Sequence, residues 1–165
     1  MMIPMPVATI ECVVNRALLW CRDQKSCRDR FHERLRSVAV EISVVFENAT
    51  TLQQLNARYR QKESPTNILT FASWDDESFP PIPNSSTSML SEPLGDLVIA
   101  VGVVQRESRE LGISLEEHLS HLLVHGVLHL LGYDHERGEE EAERQESMEI
   151  SILESLDIAN PYLTS

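Results

Sequence analysis

Residues 114–135 read SLEEHLSHLLVHGVLHLLGYDH. Ser114 followed by Glu117 is a capping-box pattern, in which each side chain takes a backbone N–H of the other residue. It predicts a helix starting near residue 115. The apolar run carries that helix to Gly132, a residue suited to the left-handed position that ends one. His118, His121, His125 and His129 fall at offsets of three, four and four, roughly along one face. His125 and His129, one turn apart, can grip a single metal ion, and a turn at Gly132 brings His135 back towards it. Three neutral nitrogens with an open fourth position make a catalytic rather than a structural zinc site. His118 reads as a structural histidine. His121 reads as a partner of the ligands or a buried, hydrogen-bonded histidine before it reads as a fourth ligand. Asp134 either orients an imidazole or caps the turn.

The spacing H-x3-H-x5-H, with glycine three after the second histidine, is that of the metzincin proteases. Where those enzymes carry a general-base glutamate, this chain has Gly126. The site therefore reads as a hydrolase other than a protease. Either another group takes the proton from water, or the metal acts mainly as a Lewis acid on a phosphoryl or carbonyl oxygen.

Outward from this helix, VATIECVV (7–14) is rich in β-branched residues and predicts a first strand. Residues 15–36 predict a helix with a solvated face, and VAVEISVVF (38–46) gives the clearest strand signal. Asn48 or Thr50 caps a helix through LQQLNARYR, with Leu52, Leu55 and Tyr59 as its buried stripe. ILTFA (68–72) and LGDLVIAV (94–101) predict two more strands. Residues 74–93, with four of the eight prolines, predict a long polar loop. Residues 103–111 predict a short helix broken by Gly112. Residues 138–156 predict a last, glutamate-rich helix whose acids form a solvated face and whose Met148, Ile152 and Leu156 keep helical spacing. Residues 157–165 are left as a tail. The fold expected is α/β (α+β): one four-stranded mixed sheet packed with five to six helices, the metal site at the end of a central helix.

At 165 residues, 42% hydrophobic and 24% charged, the chain is expected to be a single soluble domain over 1–165. No apolar run reaches the length of a membrane span, and the N-terminus lacks the pattern of a signal peptide, so a cytoplasmic protein is expected. Cys12, Cys21 and Cys27 fit neither a disulfide framework nor a cysteine zinc site. The net charge of −12 is uneven: residues 1–62 hold 10 of the 14 Lys and Arg but 6 of the 26 Asp and Glu. Taken alone, that excess reads as the solvated face of a helix between Arg22 and Arg36.

LNARYRQKESPTNILTF (55–71) places Arg60 and Lys62 at a helix end before a Pro-Thr-Asn turn. Cations there suit the helix C-terminus. If the turn faces the metal, Arg60 becomes a phosphate clamp, its planar fork matching a phosphate bidentately. Together with HGVLHLLGYDH and LGDLVI, in this order, the segment resembles the YbeY family of bacterial endoribonucleases, over roughly residues 38–156. The resemblance implies a zinc-dependent, single-strand-specific endoribonuclease. It would act in maturation of ribosomal RNA, notably the 16S 3′ end, and in ribosome quality control, with ribosome-associated proteins as partners and no DNA. The family's ligands carry over to His125, His129 and His135, and its functional arginine to Arg60. The loop at 74–93 is longer and richer in proline than the resemblance leads one to expect. A zinc peptidase, and a non-catalytic ribosome-associated factor with a structural zinc, are the competing readings. Histidine ligands also suit nickel, copper and iron.

Overall fold

The computed structural model describes residues 3–24, 29–60, 66–74, 91–133 and 138–163. Among them, three strands form one mixed sheet: β1 (Val40–Glu47), β2 (Ile68–Ala72) and β3 (Glu92–Ala100), in the order β1-β3-β2. β3 runs parallel to β1 and antiparallel to β2. The side chains explain the order. In β1, Val40, Ile42, Val44 and Phe46 turn towards the helices while Glu41, Ser43 and Val45 stay exposed, so one face is covered. β3 ends in the unbroken run LVIA because both its faces are covered, as a central strand requires.

Among the described residues six helices accompany the sheet: α1 (Val7–Asp23), α2 (Asp29–Ser37), α3 (Ala49–Arg60), α4 (Val101–Leu111), α5 (Leu115–Leu130) and α6 (Glu139–Glu154). α5 lies on one face of the sheet with α1 and α6 packed against it. Leu97, Ile99, Leu119, Leu123 and Val127 belong to the large core on that side. α3 covers the other face through a smaller core of Leu52, Leu69, Val98, Ala100 and Val103. The result is a layered fold with α5 at its centre.

The expected first strand is a helix, which is why the described sheet has three strands and not four. Ile10, Val13, Ala17 and Cys21 are buried, and their spacing of three, four and four is that of one helical stripe. Packing of that stripe on α5 overrides the β-branched propensity of the segment. The helix expected over 15–36 is divided between α1 and α2, with residues 25–28 outside the described residues. In α3 the stripe is also different: Leu52 and Asn56 are buried, while Tyr59 is 59% exposed. The Asn48 cap is present, its Oδ1 accepting the Thr51 N–H at 2.8 Å.

Of the loop expected at 74–93, residues 75–90 lie outside the described residues. Its two ends are structured. Trp74 is buried against Phe31, ring centroids 6.1 Å apart, and Glu92 opens β3. Arg34 joins them: its guanidinium is 5.8 Å from the Trp74 ring centre, and its Nε donates to Glu92 Oε2 at 2.9 Å. A second nitrogen of the same group donates to Glu92 Oε1. Arg34 is completely buried, and this two-pronged pairing is what offsets its desolvation.

Candidate functional site

The capping box at the head of α5 is complete. Ser114 Oγ accepts the Glu117 N–H at 3.0 Å, and Glu117 Oε2 accepts the Ser114 N–H at 3.4 Å. The helix then passes beside the sheet at Gly126, where an added Cβ would sit 2.8 Å from Leu97 Cδ2 and 3.0 Å from Ile68 Cδ1. Gly95 in β3 permits the same closeness one turn on: its own Cβ would lie 2.6 Å from Leu130 Cδ2. The position that carries a glutamate in metzincins is thus filled by the sheet. Gly132 follows the helix with φ of 92°, the left-handed region expected of it.

With its apolar side on the sheet, α5 turns His121 and His125 towards α6, and His129 lies beside His125. The Nε2 atoms of His125 and His129 are 3.0 Å apart. Two neutral nitrogen lone pairs at that distance repel unless a positive centre, a proton or a metal ion, lies between them. Two nitrogens bound to one tetrahedral zinc stand about 3.3 Å apart, so the pair fits a metal with little adjustment. At the opposite edge of the His125 ring, Nδ1 is 2.9 Å from Glu149 Oε1 and 3.1 Å from Gln145 Nε2. A carboxylate at that distance requires the proton on Nδ1, leaving Nε2 as the lone-pair donor, which is the tautomer a metal needs. A proton on Nδ1 also calls for the Gln145 carbonyl on that side, an exchange of amide oxygen and nitrogen within the same space.

Glu149 is only 1% exposed, an uncommon place for a carboxylate. Besides His125, its Oε1 is 3.1 Å from His121 Nε2, and its Oε2 accepts the Tyr162 hydroxyl at 2.8 Å. The hydroxyl is also 3.2 Å from His121 Nε2. Burial by itself pushes the Glu149 carboxyl up, but the hydrogen bonds and charges of His121 and His125 outweigh it and bring it down to about 2. Burial and the neighbouring Glu149 charge push the Tyr162 hydroxyl above its ordinary range. His118 takes no part here. It is buried on the α4 side, its Nε2 3.1 Å from Glu107 Oε1, and Asn67 Nδ2 donates to that same oxygen at 3.0 Å.

Among the expected site residues, the structure therefore brings His121, His125 and His129 together and keeps His118 apart. Asp134, His135 and Lys62 lie outside the described residues. Arg60 is the last residue of α3, with its side chain outside what is described. Among the described residues no group of three His, Cys, Asp or Glu converges as a metal site. Of the three expected ligands, His125 and His129 are the two that lie among the described residues. Sequence reading missed Gln145, Glu149 and Tyr162. The signal for the first two was available: they lie three residues before and one after Met148, with Ile152 beyond, on the buried stripe of α6 rather than its solvated face.

Residues 8–157 match the family model described as endoribonuclease YbeY. A Magnetococcus marinus protein named endoribonuclease YbeY is 51% identical over 129 residues, covering 75% of this chain and 84% of that protein. One of the same name from Acinetobacter baumannii is 49% identical over 123 residues, 74% of this chain and 73% of that protein. In three dimensions the chain is similar to a Thermotoga maritima protein solved in solution, with a TM-score of 0.51 and 18% identity. That match covers 93% of this chain and 87% of the other, and it bears on the fold alone. By sequence, over most of its length, this chain belongs to the YbeY endoribonuclease family.

Proposed function

We propose that this protein is a zinc-dependent endoribonuclease that cuts single-stranded RNA. In this reading it matures ribosomal RNA, including the 16S 3′ end, and serves ribosome quality control in the cytoplasm. The observation that carries the reading is the convergence of His125 and His129 Nε2 at 3.0 Å, on a helix whose next turn leads to His135. His125, His129 and His135 would hold one zinc ion. When bound, that ion supplies Lewis-acid charge for a phosphoryl oxygen.

The remaining work belongs to the chain's own residues. Arg60, helped by Lys62, grips the scissile phosphate and offsets the negative charge that develops on it. Beside Arg60, the exposed Tyr59 ring rests edge-on against Phe71, centroids 5.7 Å apart, with the Arg58 guanidinium 5.5 Å from its centre. An exposed aromatic flanked by cations suits a splayed base of single-stranded RNA. Asp134 supports the ligand beside it. The packed position of Gly126 counts against a peptidase, because no glutamate fits there to act as base.

The test is cleavage of a single-stranded RNA, its duplex and casein by zinc-loaded, chelator-treated and His125→Ala protein. Zinc-dependent cutting of the single strand alone is expected. Casein cleavage, or RNA cleavage indifferent to both chelator and His125→Ala, would overturn the proposal.

A further inference from the structure

Glu149 is a buried carboxylate reached by three side chains from two directions, and no step of the reaction proposed above uses it. Its Oε1 lies 2.9 Å from His125 Nδ1 and 3.1 Å from His121 Nε2, and its Oε2 accepts the Tyr162 hydroxyl at 2.8 Å. Tyr162 comes from the segment after α6, which the sequence presents as a tail. We infer that Glu149 and Tyr162 are positioning residues for the metal centre, and that the C-terminal segment is part of the site. The inference rests on the reading of His125 as a ligand.

The physical argument has three parts. An ionised carboxylate has only lone pairs to offer, so both ring nitrogens facing Oε1 must carry protons. On His125 this puts the proton on Nδ1 and turns the Nε2 lone pair towards His129. On His121 it occupies Nε2 with a proton, which removes that atom from any ligand set and leaves His121 as a second brace on Glu149. Finally, Oε1 receives both histidines while Oε2 would be left bare in a buried place. The Tyr162 hydroxyl fills that need and stops the carboxylate from rotating. The His121 and Tyr162 rings meet edge to face, centroids 5.3 Å apart, so the brace is packed as well as hydrogen-bonded. Partners of this kind set the tautomer and angle of a ligating imidazole, and their loss typically costs about 10- to 100-fold in metal affinity.

The test measures zinc affinity by competition with a chromophoric chelator, and the His125 tautomer by ring 15N NMR of the zinc-free protein. Glu149→Gln is expected to weaken zinc binding by about 10- to 100-fold and to move the His125 proton away from a fixed Nδ1 position. Tyr162→Phe removes one hydroxyl from a partly exposed residue and leaves the fold intact. It should weaken zinc binding by about 3- to 10-fold, a smaller share of the same effect. His125→Ala separates this inference from the reading beneath it. If His125→Ala loses zinc while Glu149→Gln and Tyr162→Phe bind it as the wild type does, the positioning role is overturned and the metal site stands. If His125→Ala binds zinc normally, both fall. Should Glu149→Gln fail to fold, Tyr162→Phe with wild-type affinity and an unchanged His125 spectrum is sufficient to overturn the role.

Discussion

At position 126 the face of α5 turned to the sheet has room for a hydrogen atom and little more, with Leu97 and Ile68 against it. A glutamate there would bury an unpaired charge among aliphatic side chains. Gly126→Glu is therefore expected to destabilise the protein by about 3 kcal/mol or more, read from urea denaturation, and to gain no casein cleavage. A Gly126→Glu protein of wild-type stability would show that the site has space for a peptidase base. Arg60 is the complementary case, a residue expected to matter to chemistry and hardly to stability. Arg60→Glu should keep bound zinc and the wild-type unfolding midpoint while RNA cleavage falls by about 100-fold or more. Normal cleavage by the zinc-loaded variant would remove Arg60 from the mechanism.

α5 is the element on which the site depends, and its start is fixed by two reciprocal hydrogen bonds. Ser114→Ala removes the one its Oγ accepts and leaves the backbone N–H of residue 114 to Glu117. It should cost about 1 kcal/mol, measured as a shift of the urea midpoint; no shift would mean that packing alone sets where the helix begins. This cap was legible because Ser114 and Glu117 interact locally, as do Asn48 with Thr51 and Gly112 with the end of α4. β2 was legible to the residue for a related reason, a short apolar run bounded by turn residues. What failed was long-range. Val13 and Val14 favour a strand until α1 finds α5 to pack on, and nothing local announces that encounter. Glu149 was hidden in the same way. Among so many glutamates in α6 it reads as one more solvated acid, and only the approach of His121 and His125 from α5 distinguishes it. Half of the proposed metal site lay in a local spacing; the groups that would hold its ligands in place come from another helix and from the segment beyond it.

For the molecule as a whole, the core around α5 contains far more than the histidines, so the fold should survive without metal. Chelation is expected to abolish RNA cleavage while moving the thermal midpoint by only a few degrees. Collapse on chelation would instead point to a structural zinc. Acid should be a greater threat. The folded Glu149 carboxyl is held at about 2, below its ordinary value of 4.5. The unfolded chain therefore takes up that proton first as pH falls. The stabilisation is complete above about 4.5 and is lost progressively as pH drops towards about 2. A shift of this size corresponds to roughly 3 kcal/mol. The gap between wild-type and Glu149→Gln stabilities should accordingly narrow by more than half between pH 6 and pH 3; a constant gap would show that Glu149 is not held by the histidines.

Arg34 has one more consequence. It holds Glu92 through two bonds and lies beside Trp74, so the stretch between those residues begins and ends at one side chain. The entropy of closing a loop grows only with the logarithm of its length, and doubling that length costs about 0.6 kcal/mol. By that measure it is the tie at the two flanks, more than the length between them, that bears on the sheet. Position 34 is thus the point at which a single substitution would release both flanks, Trp74 and Glu92, together.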